Sequence, residues 1–206
     1  MLCRAFLGRL IYLTIGVSIP FHFIRITKRV HDDLQLWGSF LSEFNGRSPF
    51  LPDVWSNSET LNLFTDASGS LVYGTVFGWR WLYGEWSEEW IGENITLLEL
   101  DPIVLAVTTW SASLENQCIR FHTDNHALVS IINQQTSRHK PTMYLIRRLV
   151  LTCLRFNIMF QAHHIPGKST VLADHISRLQ IAKFRQLAPG AAAKPEPIPT
   201  LLPFPH

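Results

Sequence analysis

Cysteine is scarce in this chain of 206 residues. The three cysteines, Cys3, Cys118 and Cys153, lie far apart, and none belongs to a Cys-x-x-Cys or Cys/His pair. A disulfide framework and a structural zinc site both need paired, closely spaced ligands, so this spacing argues against both. We therefore expect an intracellular protein, cytoplasmic or nuclear, rather than a secreted one.

The apolar run near the N-terminus is too short to cross a bilayer. The longest run near the N-terminus is "LIYLTIGVSIPFHFI" (10–24), which is interrupted by Pro20 and His22. It falls short of the roughly 20 residues that a spanning helix needs, and it lacks a suitably placed A-x-A cleavage site. We expect this stretch to pack within the protein, and we expect no membrane partner.

Charge is unevenly distributed along the chain. The net charge is +2, but residues 1–48 carry +3, residues 49–117 carry −9 and residues 118–206 carry +8. An acidic part beside a basic part suits a site that binds metal ions next to a surface that binds phosphate. The alternative is that the two signs interleave in the folded protein, and charge alone leaves both open.

Hydrophobic residues make up 47% of the chain, which is typical of a globular protein with a sizeable core. Alternating patterns predict three strands joined by short turns, followed by two strands that alternate with helices: 60–65, 71–79, 81–87, 118–123 and 158–163. The fold class predicted is α/β (α+β), a mixed five-stranded sheet with an antiparallel meander, then parallel strands, and helices packed on it.

The two ends of the chain differ from this middle part. Residues 1–48 are predicted to be mainly helical, and residues 49–58 form a linker with two prolines. The pair Asp32-Asp33 falls within the helical pattern, where we expect solvated side chains. Six of the twelve prolines lie in residues 189–205, so the tail, residues 181–206, is predicted to be disordered.

Four carboxylates mark the ends of predicted elements: Asp66, Glu99, Asp124 and Asp174. Adjacent parallel strands ending on Asp66 and Asp124 would bring these acids together, and cations would relieve their repulsion. Oxygen ligands favour Mg²⁺, with Mn²⁺ as a possible substitute, and two such ions would support in-line displacement at phosphorus. Each acid alone could instead shape a turn or a helix cap, Glu99 through a capping box begun at Thr96.

Four stretches resemble, in order, the motifs of the type I ribonuclease H domain of reverse transcriptases: "FTDAS", "LLELDPIVLAV", "FHTDN" and "HHIPGKSTVLADHISRL". With "DLQLWGSFLSEFNG" upstream, the wording is most similar to DIRS-type retrotransposon polyproteins. The resemblance covers roughly residues 1–180. It implies a ribonuclease H-like domain at 59–180, preceded at 1–48 by the end of a polymerase thumb and connection.

The resemblance also implies roles for single residues. Asp66, Glu99, Asp124 and Asp174 match the metal-binding acids of the family, and His164 matches its mobile histidine. Ser68 and Asn125 match polar positions along the nucleic-acid groove. Thr170 departs from the asparagine that many relatives have there. Further candidate phosphate contacts are Arg138, Lys140, Arg147, Arg148 and Lys168.

The activity implied is hydrolysis of the RNA strand of an RNA/DNA hybrid with two Mg²⁺ ions. The expected partners are the hybrid and the rest of a reverse transcriptase polyprotein, whereas the oligomeric state is open. A first alternative is a catalytically silent, transposon-derived module that binds nucleic acid or protein. A second is another nuclease of the same fold, such as a junction resolvase or an integrase-like transferase.

Overall fold

The protein is described by a computed structural model over residues 4–19, 21–43, 54–69, 71–86, 88, 90–165 and 171–199. Its helices are α1 (Arg4–Thr14), α2 (Lys28–Glu43), α3 (Ser58–Leu61), α4 (Ile95–Trp110), α5 (His126–Gln134), α6 (Lys140–Arg155), α7 (Val171–Ser177) and α8 (Ile181–Leu187). Its strands are β1 (Trp55–Asn57), β2 (Leu63–Ala67), β3 (Val72–Phe77), β4 (Arg80–Glu85), β5 (Cys118–Thr123) and β6 (Met159–His164).

Strands β2, β3 and β4 form an antiparallel meander, as the sequence predicts. Its central strand β3 is rich in β-branched and aromatic residues, which suits a strand buried on both faces. Helix α7 lies against it so closely that a Cβ on Gly74 would come within 2.5 Å of the Ile176 side chain. Glycine at this position therefore allows α7, which carries Asp174, to sit on the sheet.

Strands β1, β5 and β6 form a second, parallel sheet in the order β1-β5-β6. The α/β class, with an antiparallel meander, parallel strands and helices packed on them, is confirmed. The single five-stranded sheet is not: within the part of the chain that the structure describes, the hydrogen-bonded strands form two sheets of three strands. The edge of β5 that β2 was expected to pair with is taken by β1, a strand within the predicted linker 49–58.

Helix α4 is the central core helix, with most of its residues buried. By length and composition the segment Ile95–Ser113 could cross a membrane, but 72% of its apolar window is buried inside the protein, as in a core helix. The helix begins one residue before the predicted cap: the Asn94 side chain accepts a hydrogen bond from Thr96 N at 2.8 Å. The expected Thr96–Glu99 capping box is thus replaced by an asparagine cap.

The N-terminal helices pack on α6. Ala5 and Phe6 of α1 belong to the main hydrophobic core, and Arg147 of α6 makes a salt bridge to Asp33 of α2 with N···O 2.9 Å. The prediction of a solvated Asp33 is wrong, because its side chain is only 2% exposed. The division of the chain into domains stays a prediction.

The tail is ordered over its described part, so the prediction of disorder is wrong for residues 181–199. Helix α8 buries Phe184 in a small cluster with Trp81 and Ile176. Beyond it, Ala192 N donates to Trp79 O at 2.7 Å and Glu196 N donates to Trp81 O at 2.8 Å. Prolines do not prevent this, because the donors come from the residues between them.

Candidate active site

Four elements each supply one acid of the predicted site. Asp66 is the penultimate residue of β2, and Glu99 lies in the second turn of α4. Asp124 directly follows β5, and Asp174 lies in the middle of α7. We refer to these four residues as the acid cluster.

The electrostatics show that the members of the acid cluster act on one another. Burial raises the pKa of Asp66, and the charges of Asp174 and Asp124 raise it further. A hydrogen bond from Ser177 and the charge of Arg178 act in the opposite direction. Asp66 is therefore a carboxylate held in a negative environment.

Glu99 is in the same situation. Burial raises the pKa of Glu99, as do the charges of Asp124 and Asp66, whereas hydrogen bonds from Asn125 and Thr123 lower it. The Thr123 hydroxyl lies 3.5 Å from Glu99 Oε2. Two members of the cluster are thus coupled electrostatically to Asp124, which links β2, α4 and the end of β5.

The donor set fits a hard divalent cation, because it consists of carboxylate oxygens whose repulsion a cation would relieve. As they stand, however, the described residues contain no group of three or more His, Cys, Asp or Glu side chains that could hold a metal ion. Two acids have other partners: Arg178 Nε lies 2.7 Å from Asp174 Oδ1, and the Ser177 hydroxyl donates to Asp66 Oδ2. Metal binding therefore requires side chains of the cluster to turn toward one another.

His164, the last residue of β6, lies at the Asp124 end of the cluster. Its Nε2 donates to the Asp124 carbonyl oxygen at 3.2 Å, and its ring stacks on His126 with centroids 3.6 Å apart. His163 pairs in register with His122, so the alternation of the strand places it on the opposite face. His126 was not among the residues predicted from the sequence, although it stands two residues after Asp124.

Two of the predicted nucleic-acid contacts have structural partners. The Ser68 hydroxyl donates to Val72 O and accepts from the backbone N–H groups of Leu71 and Val72, which fills its hydrogen-bonding capacity within the β2–β3 turn. Asn125 caps α5 by accepting from Leu128 N, and its amide donates to Thr96 Oγ1 of α4 at 3.1 Å. Their contact with nucleic acid stays a prediction.

The basic candidates divide into two groups. Arg138 and Lys140 are exposed, at the start of α6. Arg147 is buried against Asp33, and Arg148 is partly buried with Nη1 3.1 Å from the Tyr144 hydroxyl, so neither suits a phosphate contact. The predicted residues Lys168 and Thr170 lie outside the described residues.

No protein-family model and no curated protein sequence matches the chain. Among solved structures, ribonuclease H1 from Halobacterium salinarum NRC-1 is similar at 12% identity, with 59% of this chain and 95% of that chain covered and a TM-score of 0.44. The prototype foamy virus protease-reverse transcriptase is similar at 14% identity over 80% of this chain, with a TM-score of 0.35. This chain spans 22% of the viral protein. TM-scores below 0.5 establish no function.

Proposed function

We propose that the chain is a metal-dependent endonuclease that hydrolyses the RNA strand of RNA/DNA hybrids. The observation that carries the proposal is the convergence of the segments that carry the four acids: Thr123, next to Asp124, lies 3.5 Å from Glu99, and Ser177, one turn after Asp174, donates to Asp66. The charges of Asp124 and Asp174 accordingly raise the pKa of Asp66, and those of Asp124 and Asp66 raise the pKa of Glu99. Caps and turns would not require acids so far apart in sequence to act on one another. The ordered motifs support ribonuclease H chemistry within a retrotransposon reverse transcriptase, most like the DIRS type, in an intracellular setting.

In this proposal the acid cluster would hold two Mg²⁺ ions. When bound, such ions supply an activated water and neutralise charge on the leaving oxygen during displacement at phosphorus. Because carboxylates by themselves repel phosphate, the four acids from β2, α4, α7 and the end of β5 would serve to hold the ions, and the scissile phosphate would bind at the ions. Discrimination against DNA would come from contacts to the 2′-hydroxyl groups of the RNA strand.

His164 would exchange a proton during the reaction or during product release. Its Nε2 donates to the Asp124 carbonyl oxygen. Nδ1 is therefore the ring nitrogen that would exchange a proton with substrate or water. The stacked ring of His126 limits rotation of the His164 ring. The pair is thereby kept beside the backbone carbonyl oxygen of Asp124.

Cleavage of a labelled RNA/DNA hybrid tests the proposal. The full chain with Mg²⁺ should cleave the RNA strand to 3′-hydroxyl and 5′-phosphate ends, and Mn²⁺ should substitute. Asp124→Asn should lower the rate at least about 100-fold, which corresponds to roughly 2.7 kcal/mol of transition-state stabilisation. Glu115→Gln, which removes an exposed acid outside the cluster, should leave the rate unchanged.

Equal and negligible cleavage by the full chain and by Asp124→Asn would contradict the proposal. It would support the alternative, a catalytically silent transposon-derived module that binds nucleic acid or protein. One observation favours that alternative: Asp174 is already paired with Arg178. Faster cleavage of duplex DNA than of the hybrid would instead indicate a different nuclease of the same fold.

A further inference from the structure

A cavity of about 490 Å³ lies where α1, α2 and the start of α6 meet. Basic side chains from all three regions line it, and they outnumber the two acids in its wall, Asp32 and Asp33. The basic residues are Arg9, Arg29, Arg138, Lys140 and Arg147. We refer to it as the basic cavity.

The Asp33 carboxylate is already paired with basic side chains in the wall of the basic cavity. It makes a close salt bridge to Arg147, and Arg9 Nη1 lies 3.4 Å from its Oδ2. Burial lowers the pKa of Arg9, and the nearby charges of Arg147 and Arg29 lower it further, although Asp33 and Asp32 oppose them. Positive charge thus exceeds negative charge in this part of the molecule.

Three cations remain for a ligand. Within the described part of the chain, the side chains of Arg29, Arg138 and Lys140 make no hydrogen bond and no ion pair, and all three are exposed. The only other acid in the wall is the partly exposed Asp32. A cavity with an excess of unpaired cations attracts an anion, and guanidinium groups bind phosphate oxygens in a bidentate manner.

The basic cavity and the acid cluster are connected through the starts of α6 and α4. His139, just before α6, has its Nε2 3.9 Å from Glu93 Oε2, just before α4. Glu99 follows in the second turn of α4. The first turns of α4 and α6 are therefore neighbours, and a bound strand that passes the acids can extend toward the cavity.

We propose that the basic cavity binds phosphate groups of the nucleic-acid backbone, so that α1 and α2 form part of the substrate-binding surface. That the anion belongs to nucleic acid rests on the proposed function. The cavity itself rests on the packing of α1 and α2 against α6. In this role Arg29 of α2 acts together with Arg138 and Lys140, although it lies far from them in sequence.

The test compares two triple variants in a background of Asp124→Asn, which prevents cleavage. One removes the cavity cations (Arg29→Ala, Arg138→Ala, Lys140→Ala), and the other removes three exposed cations elsewhere (Arg155→Ala, Lys183→Ala, Lys194→Ala). The two lose the same charge, and Arg155 lies at the opposite end of α6. Binding of a fluorescent RNA/DNA hybrid is measured by anisotropy between 50 and 300 mM KCl, conditions in which about 0.9 counterion is released per neutralised phosphate.

The cavity variant should bind the hybrid about tenfold more weakly at 150 mM KCl. The slope of log K for binding against log KCl concentration, the salt slope, should fall in magnitude by roughly two to three. The control variant should keep both the affinity and the slope. Equal losses in the two variants would overturn the proposal, since only net charge would then matter. If the cavity triple unfolds, as judged by circular dichroism, Lys140→Ala alone should lower the slope by about one, and an unchanged slope would overturn the proposal.

Two competitors identify the source of the anion. Sodium phosphate at equal ionic strength should displace the hybrid from the parent protein more effectively than chloride, and this difference should vanish in the cavity variant. Polyglutamate that competes at the cavity as strongly as the hybrid would overturn the proposal in favour of an acidic protein partner. Because binding is measured without cleavage, the proposal survives a negative cleavage assay, and the two failures are distinguishable.

Discussion

At the scale of single residues, Ser177 has a direct connection to the acid cluster. It is only 1% exposed, its hydroxyl donates to Asp66, and its Oγ also lies 3.0 Å from the Asp174 carbonyl oxygen. It thus ties the Asp66 carboxylate of β2 to α7, the helix that carries Asp174. We regard it as a positioning residue.

The first prediction concerns Ser177→Ala. The Ser177 hydrogen bond lowers the pKa of Asp66, so its loss raises that pKa, and the acid limb of the pH–rate profile should move to higher pH. Hybrid cleavage at pH 6 should fall about tenfold, the rough worth of one hydrogen bond to a charged group, and cleavage at pH 8 should fall less. Ser130→Ala, on the exposed face of α5, is the control. A uniform loss at all pH values would contradict this role.

The second prediction concerns Asp101, which is buried in α4. Burial raises its pKa from 3.8 to about 7, against the opposing charge of Arg148. The folded state therefore binds this proton more tightly than the unfolded state, so the stability that Asp101 contributes is fully present below pH 4 and is lost as pH rises to about 7. At 1.36 kcal/mol per pKa unit the loss is at most about 4 kcal/mol. Asp101→Asn should remove it.

Urea denaturation at pH 5 and pH 8 checks this expectation. The free energy of unfolding of Asp101→Asn should exceed that of the parent protein by about 2–4 kcal/mol at pH 8, and the difference should shrink at pH 5. Glu115→Gln removes an exposed acid and should show no such change with pH. If the difference in free energy of unfolding between Asp101→Asn and the parent protein were the same at both pH values, the buried-acid interpretation would be refuted.

The sequence supplied the acids but not their surroundings. Motif order singled out Asp66, Glu99, Asp124 and Asp174 as candidate metal ligands, and that role stays a prediction. Ser177 and Arg178 were not found, since a serine and an arginine one turn after Asp174 fit any solvated helix. Their partners are set by how α7 lies on β3, and that depends on a close approach at Gly74.

At the scale of elements, the local sequence pattern predicted the helices and strands that depend mainly on interactions between residues close in sequence. Strand β5 was placed at 118–123 as observed. Strand β1 was missed because three residues offer no alternation and only pairing with β5 makes them a strand. Such pairing between distant segments cannot be inferred from a short window of sequence.

The third prediction tests the joint between α2 and α6. Asp33→Ala leaves the guanidinium of Arg147 buried without its carboxylate, which should lower the free energy of unfolding by about 3–5 kcal/mol. Asp32→Ala, one residue earlier and partly exposed, should change it by no more than about 0.5 kcal/mol. Urea denaturation of both variants gives the comparison, and similar values for the two would contradict a structural ion pair.

A double variant separates the ion pair from a general effect on α2. Asp33→Ala with Arg147→Met removes both charges, so no charge is left buried, and stability should recover in part relative to Asp33→Ala alone. If the double variant were less stable than the single one, the joint would depend on packing by the arginine stem rather than on charge.

At the scale of the whole molecule, the C-terminal tail covers a sheet edge that the central part of the chain leaves exposed. Strand β4 is an outer strand of its sheet, and an open edge invites association with other chains. The tail covers part of that edge, because Ala192 and Glu196 donate to the carbonyl oxygens of Trp79 and Trp81. The proline-rich composition predicted disorder. Composition alone does not show that the residues between the prolines can donate hydrogen bonds to a neighbouring sheet edge.

The fourth prediction concerns a chain that ends at Leu187. It loses the two backbone bonds to Trp79 and Trp81, and it leaves the indole N–H groups of Trp81 and Trp110 without their acceptors, Ala192 O and Glu196 Oε2. At roughly 1 kcal/mol for each of these four hydrogen bonds, the free energy of unfolding should fall by at least about 4 kcal/mol, because the two bonds that Arg185 donates to Ala191 O and Ala193 O are lost as well. Because both tryptophans are almost fully buried, their fluorescence should shift to the red.

A chain that ends at Pro199 is the matched control, because it keeps all four hydrogen bonds. Its denaturation midpoint and its fluorescence maximum should equal those of the full chain. Sedimentation of the shorter chain should also reveal self-association, since the edge of β4 is then uncovered. If both truncated chains matched the full chain in stability and emission, the tail would not hold the edge of β4, and the ordered segment 188–199 would contribute nothing to the folded state.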